Sequence, residues 1–475
     1  MSLVLDGLML RSDGASQPAR LALSGGRIAS AGPDAKRKDR LILPGFANAH
    51  DHARPLSPTS FGAAGKPLES WLLRLAAMTR QDPYVASAAP FARAARSGCT
   101  SIMAHYTRAQ GPMPLPDEAR EIARAARDVG VQVAFAVAMR DMNPIIYGDA
   151  TPMLASMPAE ARKTVEGIFG SPLMPWREQI ALADAVAQAA ENPRFSVQYG
   201  PNGMQWCSRA MLEGIAEASA RKGRRVHMHF LETKYQRAWA DQNCPQGAAR
   251  YLKEIGLLTD RLTLAHAVWA NDDDLALIAE AGTVIATNAS SNLHLKSGIA
   301  PIGRAIRMGC RVAIGLDGAA FDEDDDMLRE IRLGQFLHGG WGYDCNISRE
   351  DYLLNAARNG RFANGAADQA SLAAGEIADC VEIDLATLDR DAVLPVEPVD
   401  YLFARASLAH VARVIADGKV IVEGGRVLGV DLPALEDEMR ARYRAQMPER
   451  ADFLRAWPAF DAALAGWYRD RLGCC

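Results

Sequence analysis

A chain of 475 residues is too long for one simple core and suits a large domain joined to a smaller one. Hydrophobic residues make up 49% and charged residues 23%, and a net charge of −4 with scattered Lys and Arg gives no footprint for nucleic acid. No run approaches the length of a membrane span, and the start Met1-Ser-Leu-Val-Leu-Asp6 lacks the basic region of a secretory signal, so a cytoplasmic protein is expected.

Residues 1–44 alternate apolar and polar positions, with Ser24-Gly25-Gly26-Arg27 as a hairpin turn, and predict the first part of a small β domain. From 45 to 373, strand-like runs alternate with helical ones. An apolar strand ends at Pro44-Gly45, and the first barrel strand ends at His50. The others are Thr100–Ala104, Val131–Ala136, Phe195–Tyr199, Arg225–Phe230, Leu262–Ala265, Thr283–Ala286 and Arg311–Gly315. Amphipathic segments such as Tyr84–Arg96, Pro116–Asp128 and Met211–Lys222 lie between them. Eight strand–helix units predict a (β/α)8 barrel. Residues 374–430 return to β-like pieces, Cys380–Asp384, Val399–Ala404 and Val411–Val422, with turns at Asp417-Gly418 and Gly424-Gly425. Neither chain end buries a core alone, so both are expected to meet in one composite β-sandwich. Residues 431–475 read as helical over Leu432–Gln446 and Asp452–Tyr468. The eight cysteines form no Cys-x-x-Cys, which excludes zinc ribbons and suits reduced thiols; Cys474-Cys475 is given no role.

The strand ends carry the chemistry. His50-x-His52 places two imidazoles on one strand face, because alternate residues point the same way. His229, His266 and Asp317 stop three later strands, at the barrel end where active sites lie. His50, His52, His229 and Asp317 offer three nitrogens and one oxygen, a donor set for one catalytic divalent metal, zinc first and iron second. Bound metal lowers the pKa of its water towards about 7. Glu232, three residues beyond His229, is placed as a proton shuttle over the metal. His266 holds the hydroxide or polarises the group under attack, and Asp317 both binds metal and accepts the water proton. His227 is read as turned away from His229, packing or hydrogen-bonding behind the site.

The strings Pro44-Gly45-Phe46-x-Asn48-Ala49-His50-x-His52, Pro67-Leu68-Glu69-x-Trp71-Leu72 and His229-x-x-Glu232-Thr233 are followed by Ala265-His266, then Ser291-Asn292-Leu293-x-Leu295-x-Ser297-Gly298-Ile299-Ala300-Pro301 and Gly315-x-Asp317-Gly318. Together they resemble the amidohydrolase superfamily, in the branch of S-adenosylhomocysteine/methylthioadenosine, guanine and chlorotriazine hydrolases and deaminases. The resemblance runs to about residue 425. It implies a (β/α)8 barrel with a composite β-sandwich, one divalent metal, usually zinc, and hydrolysis at a ring carbon or amide. It also implies metal binding by His50, His52, His229 and Asp317, with Glu232 and His266 catalytic. Two-metal relatives carry a bridging lysine at the end of the fourth strand, and Phe195–Pro201 has none.

Two stretches depart from that pattern, Ala53-Arg54-Pro55 and Tyr199–Cys207, and both are expected to line the substrate pocket. The expected reaction is deamination of a nitrogen heterocycle by metal-bound hydroxide. Opening of a cyclic amide or displacement of chloride or sulfide is the alternative. A non-catalytic scaffold would show eroded ligands, and all are intact. Arg54 and Arg140 are candidates for an anionic substrate tail, although pairing with an acid such as Asp141 is the competing role. Asn202 and Gln205 are candidates for ring nitrogens, and Trp206 or Trp269 for a ring face. His105 is a further pocket candidate, and His294 either steadies its loop or touches substrate. Asp322–Asp326 reads as an acidic helix start. The small-molecule substrate is the expected partner, with no nucleic acid or membrane, in a homodimer or larger homo-oligomer.

Overall fold

The computed structural model describes residues 3–10, 16–318, 323–366 and 370–471. Strands β1 (Leu3–Leu10), β2 (Ser16–Ser24), β3 (Arg27–Gly32) and β4 (Arg40–Pro44) open the chain. The barrel follows with β5 (Phe46–Asn48), β6 (Cys99–Tyr106), β7 (Gln132–Met139) and β8 (Phe195–Pro201). It continues with β9 (Val226–Phe230), β10 (Leu262–His266), β11 (Val284–Thr287) and β12 (Arg311–Ile314). Last come β13 (Cys380–Asp384), β14 (Val411–Ala416), β15 (Lys419–Glu423) and β16 (Arg426–Val427).

β5 to β12 lie side by side in chain order, and every pairing is parallel. The two edges meet where Ala49 N donates to Ile314 O at 2.9 Å and Asp317 N to His50 O at 2.8 Å. Asn48 adds a side-chain closure, its Oδ1 accepting from Leu316 N at 2.9 Å. Strands covered on both faces need apolar residues throughout, which is why these segments read as runs rather than alternations. The intervening helices include Pro83–Arg96, Leu115–Val129 and Arg209–Lys222, close to their predicted limits.

The small domain uses both chain ends in one eight-stranded sheet, ordered β16-β15-β14-β13-β4-β1-β2-β3. Leu5, Leu21, Leu23, Ile28, Ile42, Cys380 and Ile415 form one of its buried clusters. Two predicted features are corrected. The first barrel strand, β5, stops at Asn48, short of His50, and the apolar run before it, β4, belongs to the small sheet. Gly45 N bonds Asp379 O at 2.9 Å, whereas Phe46 N bonds Gly98 O at 3.0 Å, so consecutive amides serve different sheets. A Cβ on Gly45 would lie 2.5 Å from Thr100 Oγ1, so no larger side chain fits at this crossing. His50 and His52 therefore lie just past a strand end and not within one. Val399–Ala404 is helical, inside Pro398–Arg405, with Pro398 in the first turn and Val399, Leu402 and Phe403 buried at helical spacing. Val411–Val422 folds as the β14–β15 hairpin about the expected turn at Asp417-Gly418.

The helices Leu432–Gln446 and Ala451–Arg471 return to the barrel. Met439, Tyr443, Phe453 and Phe460 pack with Phe61, Tyr147 and Trp206 from the segments after β5, β7 and β8. The chain end thus braces the loops at the mouth of the barrel. Cys474, Cys475 and Asp322 lie outside the described residues. No helix among the described residues is long and apolar enough to cross a membrane.

Candidate active site

At the carboxyl ends of β5, β9 and β10, and beyond β12, the expected side chains converge. His52 and His229 face each other with Nε2 atoms 3.2 Å apart. Each ring is held from behind by a main-chain carbonyl, His52 Nδ1 by His105 O at 2.8 Å and His229 Nδ1 by Asn202 O at 2.7 Å. A carbonyl only accepts, so both Nδ1 atoms carry the proton and both Nε2 atoms present lone pairs. Asp317 Oδ1 lies 3.3 Å from His50 Nε2 and 3.3 Å from His52 Nε2. His50 Nε2 is buried with no hydrogen-bond partner among the described residues.

Facing lone pairs at this distance repel unless a cation lies between them. Two ligands of one tetrahedral zinc, each about 2.0–2.1 Å from the ion, stand roughly 3.3 Å apart. The donor set therefore fits a divalent metal. One ligand atom from each of His50, His52 and His229 lies within 4.8 Å of the others, and His50, His266 and Asp317 form a second such set.

Burial acts to raise the Asp317 carboxyl, but its contacts with His50 and His52 outweigh burial and hold it well below the usual carboxylate range. Its Oδ2 accepts from Ser291 Oγ at 2.5 Å. Burial pushes His50 down to about 3 and lowers His52, His229 and His266, so the rings are neutral, as ligands must be. Glu232 behaves oppositely: burial, then the negative charges of Asp317 and Glu69, push its carboxyl well above the usual range. Glu232 Oε2 lies 3.6 Å from His266 Nε2, and Oε1 accepts from Ser297 Oγ at 3.3 Å. His266 Nδ1 donates to Asn292 Oδ1 at 2.9 Å, which leaves Nε2 as an acceptor aimed into the site. His266 (φ 76°), Ala267 (φ 51°) and Asp317 (φ 59°) all adopt left-handed backbone, a strain that collects where side chains must be aimed.

Residues 41–421 match the Amidohydrolase family. The chain belongs to that family. It is a hydrolase of carbon–nitrogen bonds. A 5-methylthioadenosine/S-adenosylhomocysteine deaminase of Pyrococcus abyssi is 27% identical over 400 residues, 82% of this chain and 84% of that protein. A 5'-deoxyadenosine deaminase of Methanothermobacter thermautotrophicus is 27% identical over 82% of this chain and 83% of its own length. Among solved structures, a zinc-bound adenosine deaminase from Xanthomonas campestris superposes with a TM-score of 0.76 at 23% identity, covering 94% of this chain and 98% of that one.

The residues proposed for substrate surround the amidohydrolase centre unevenly. Arg54 is close: its Nη1 donates to the main-chain oxygen of Asp317, and its guanidinium lies 4.8 Å over the Trp71 ring. Arg140 follows β7, where its main chain is clamped by the Gln179 side chain at 3.0 and 2.8 Å. Asp141 is not its partner, because that carboxylate takes Ser208 N at 2.7 Å and Ser208 Oγ at 2.6 Å. Asn202 Oδ1 and Gln205 Nε2 are buried without hydrogen-bond partners among the described residues. Trp206 is buried edge-on to Tyr147, with ring centres 5.6 Å apart, as part of the apolar brace. Trp269 is 41% exposed, its Nε1 donating to Ser297 O at 2.8 Å. His294 ends the short helix Ala289–His294 and is half-buried. His105 is fully buried beneath the site, stacked on His229 at 4.8 Å.

His227 corrects the expected orientation. It stands two residues before His229 on β9, so alternation puts both on the barrel interior. His227 lies one layer deeper, with Nε2 2.8 Å from His50 Nδ1. Ser291, Asn292 and Ser297 hold Asp317, His266 and Glu232, and Trp71 carries Arg54. Their one sequence signal is membership of the strings that carry the family resemblance.

Proposed function

We propose that this amidohydrolase is a zinc-dependent aminohydrolase that replaces the exocyclic amino group of an adenine-like heterocycle with oxygen and releases ammonia. The observation that carries the metal is the facing Nε2 pair of His52 and His229, completed by His50 and Asp317. When bound, the divalent ion supplies the Lewis acidity that makes a water in its shell nucleophilic near neutral pH.

The side chains then divide the proton work. His266 Nε2 accepts a hydrogen bond from the attacking water and aims it. Asp317, ionised and steadied by Ser291, accepts the proton that this water loses as its oxygen bonds the ring carbon. Glu232, whose burial favours the protonated form, donates to the ring nitrogen beside that carbon. The hydroxyl on that carbon then returns its remaining proton to Glu232 as the carbonyl forms. The carbon–nitrogen bond breaks, and the amine leaves as ammonia with the proton passed through Asp317. Asn202 and Gln205 hold unpaired polar atoms for the ring, and the deaminase relatives support an aminopurine. The free cysteines Cys99, Cys207, Cys244, Cys310, Cys345 and Cys380 support a reducing cytoplasmic setting. The exposed Phe336, Trp341 and Tyr343 support a homo-oligomer.

The test is ammonia release by zinc-loaded protein from a panel of aminopurines, pterins, triazines and imidazolones. Ammonia in step with substrate loss is expected. Release of chloride or sulfide, or a ring-opened acid without ammonia, would overturn deamination.

A further inference from the structure

We propose that His227 is a positioning residue for His50: its Nε2 accepts the Nδ1 proton of His50 and so fixes the ring form in which His50 Nε2 faces the metal with a lone pair. The proposal rests on the reading of His50 as a ligand. The two nitrogens lie 2.8 Å apart, the rings are within 10° of parallel, and both side chains are fully buried.

One proton lies between these nitrogens, and its owner decides whether His50 can bind metal. If His227 donates, neutral His50 must carry its own proton on Nε2, pointing at Asp317 and closing off ligation. If His50 donates, Nε2 is free. The carbonyls behind His52 and His229 leave no such choice, because they only accept. An imidazole can donate or accept, so the ring behind His50 must itself be held in the accepting form. That form puts the His227 proton on Nδ1, an atom buried without a hydrogen-bond partner among the described residues.

His105 is the third buried ring of this layer. Its Nε2 lies 3.0 Å from Gly200 O and therefore donates, which leaves His105 Nδ1 as a buried acceptor, also unpartnered. Gly200 makes room for this, since a Cβ there would come within 2.8 Å of His105 Nε2. One ring nitrogen each of His50, His105 and His227 lies within 4.8 Å of the others. His50 decides the direction: as a ligand through Nε2 it carries its proton on Nδ1, so His227 Nε2, 2.8 Å away, is the acceptor. A ligand histidine is more often backed by a carboxylate or carbonyl, and such partners commonly set metal affinity within 10–100-fold.

The experiment measures Zn2+ affinity of the full chain by chelator competition in wild type, His227→Leu and His227→Gln. Gln carries its side-chain oxygen about where His227 Nε2 stands and can accept in its place. His227→Leu should bind Zn2+ roughly 10–100-fold more weakly, and His227→Gln should recover to within about threefold of wild type. Unchanged affinity in His227→Leu, or a Gln variant as weak as Leu with the same metal-free melting temperature, overturns the proposal. Should the variants not fold, ring-nitrogen NMR of the zinc-loaded wild type decides: a protonated His50 Nδ1 and an unprotonated His227 Nε2 are expected, and the reverse overturns it. A second zinc equivalent that disappears in His227→Leu also overturns it, because the three deep histidines would then be ligands. His52→Ala is the control for the underlying reading. If it leaves affinity intact, the metal site itself is misassigned, whatever His227 does.

Discussion

Ser291 Oγ stands 2.5 Å from Asp317 Oδ2, so one carboxylate oxygen is held in place while the other, Oδ1, is shared between His50 and His52. Ser291 comes from the short helix Ala289–His294 after β11 and Asp317 from the turn after β12, so the bond locks the segments after neighbouring strands together. Ser291→Ala should leave the fold intact and lower zinc affinity or turnover on the order of 10–100-fold. Chelator competition and kcat/KM measured together check this. Wild-type values for both would make the bond incidental.

The site should hold one divalent ion per chain. The fourth barrel strand, β8, offers no lysine to bridge a second, and the Nε2 lone pairs of His52 and His229 leave space for one cation between them. Removing the metal should abolish turnover and lower the melting temperature, because an ion that binds only the folded state stabilises it by mass action. Metal analysis should give a ratio near one. Full activity that requires two equivalents would contradict it.

Glu232→Gln should keep the metal and lose turnover by roughly 10²–10⁴-fold. The carboxyl stands beside His266 at 3.6 Å and takes Ser297 at 3.3 Å, so an amide of similar shape fits without disturbing the ligands. Loss of zinc along with activity would make Glu232 a ligand, and near-normal turnover would remove it from the proton path.

Buried Glu330 predicts a pH dependence of stability away from the chemistry. It accepts from Ser290 N at 3.1 Å, and burial raises its pKa from 4.5 to about 7. The folded chain therefore holds this proton to higher pH than the unfolded chain. The stabilisation is full below about pH 4.5 and is lost as pH rises through about 7. Glu330→Gln stays neutral throughout and should gain on wild type by about 3 kcal/mol between pH 4 and pH 8, at about 1.4 kcal/mol per pH unit. Denaturant melts across that range measure it. A constant difference at every pH would show that Glu330 does not carry the proton.

Strand-end chemistry was legible in the sequence because barrel strands are short apolar runs and each functional side chain stands where a run stops. His50, His229, His266 and Asp317 follow that rule. What holds them was not legible. Ser291, Asn292 and Ser297 act across neighbouring strands, and nothing local marks a serine that will meet Asp317 26 residues on. The end of the first barrel strand failed, since Ala49-His50 continues the apolar run although pairing stops at Asn48. Val399–Ala404 failed because β-branched and aromatic residues also fit a short helix when Pro398 starts it. The orientation read for His227 failed by a miscount of the strand period, since two residues' separation on β9 puts it on the face of His229. Its place behind the site, bonded to His50, agrees with the reading.

The two arginines near the pocket should part company on substitution. Arg54 is tied to the metal site, donating to the main-chain oxygen of Asp317 and lying on Trp71, and burial lowers its pKa. Removing it disturbs Asp317 as well as any substrate contact, so Arg54→Met should lower kcat along with kcat/KM for every substrate. Arg140 makes no ion pair among the described residues, and Asp141 is already committed to Ser208. A largely buried guanidinium without a carboxylate is suited to an anionic group brought by the ligand. Arg140→Met should therefore raise KM for a heterocycle with an acidic tail by roughly 10-fold or more, as loss of a charge-assisted hydrogen bond of about 1.5–3 kcal/mol implies, and leave kcat and neutral substrates nearly unchanged. Comparing an aminopurine nucleoside with its carboxylate-bearing derivative on the three proteins makes the distinction. Equal losses on both substrates in Arg140→Met would show that Arg140 supports the loop after β7 and does not read the tail.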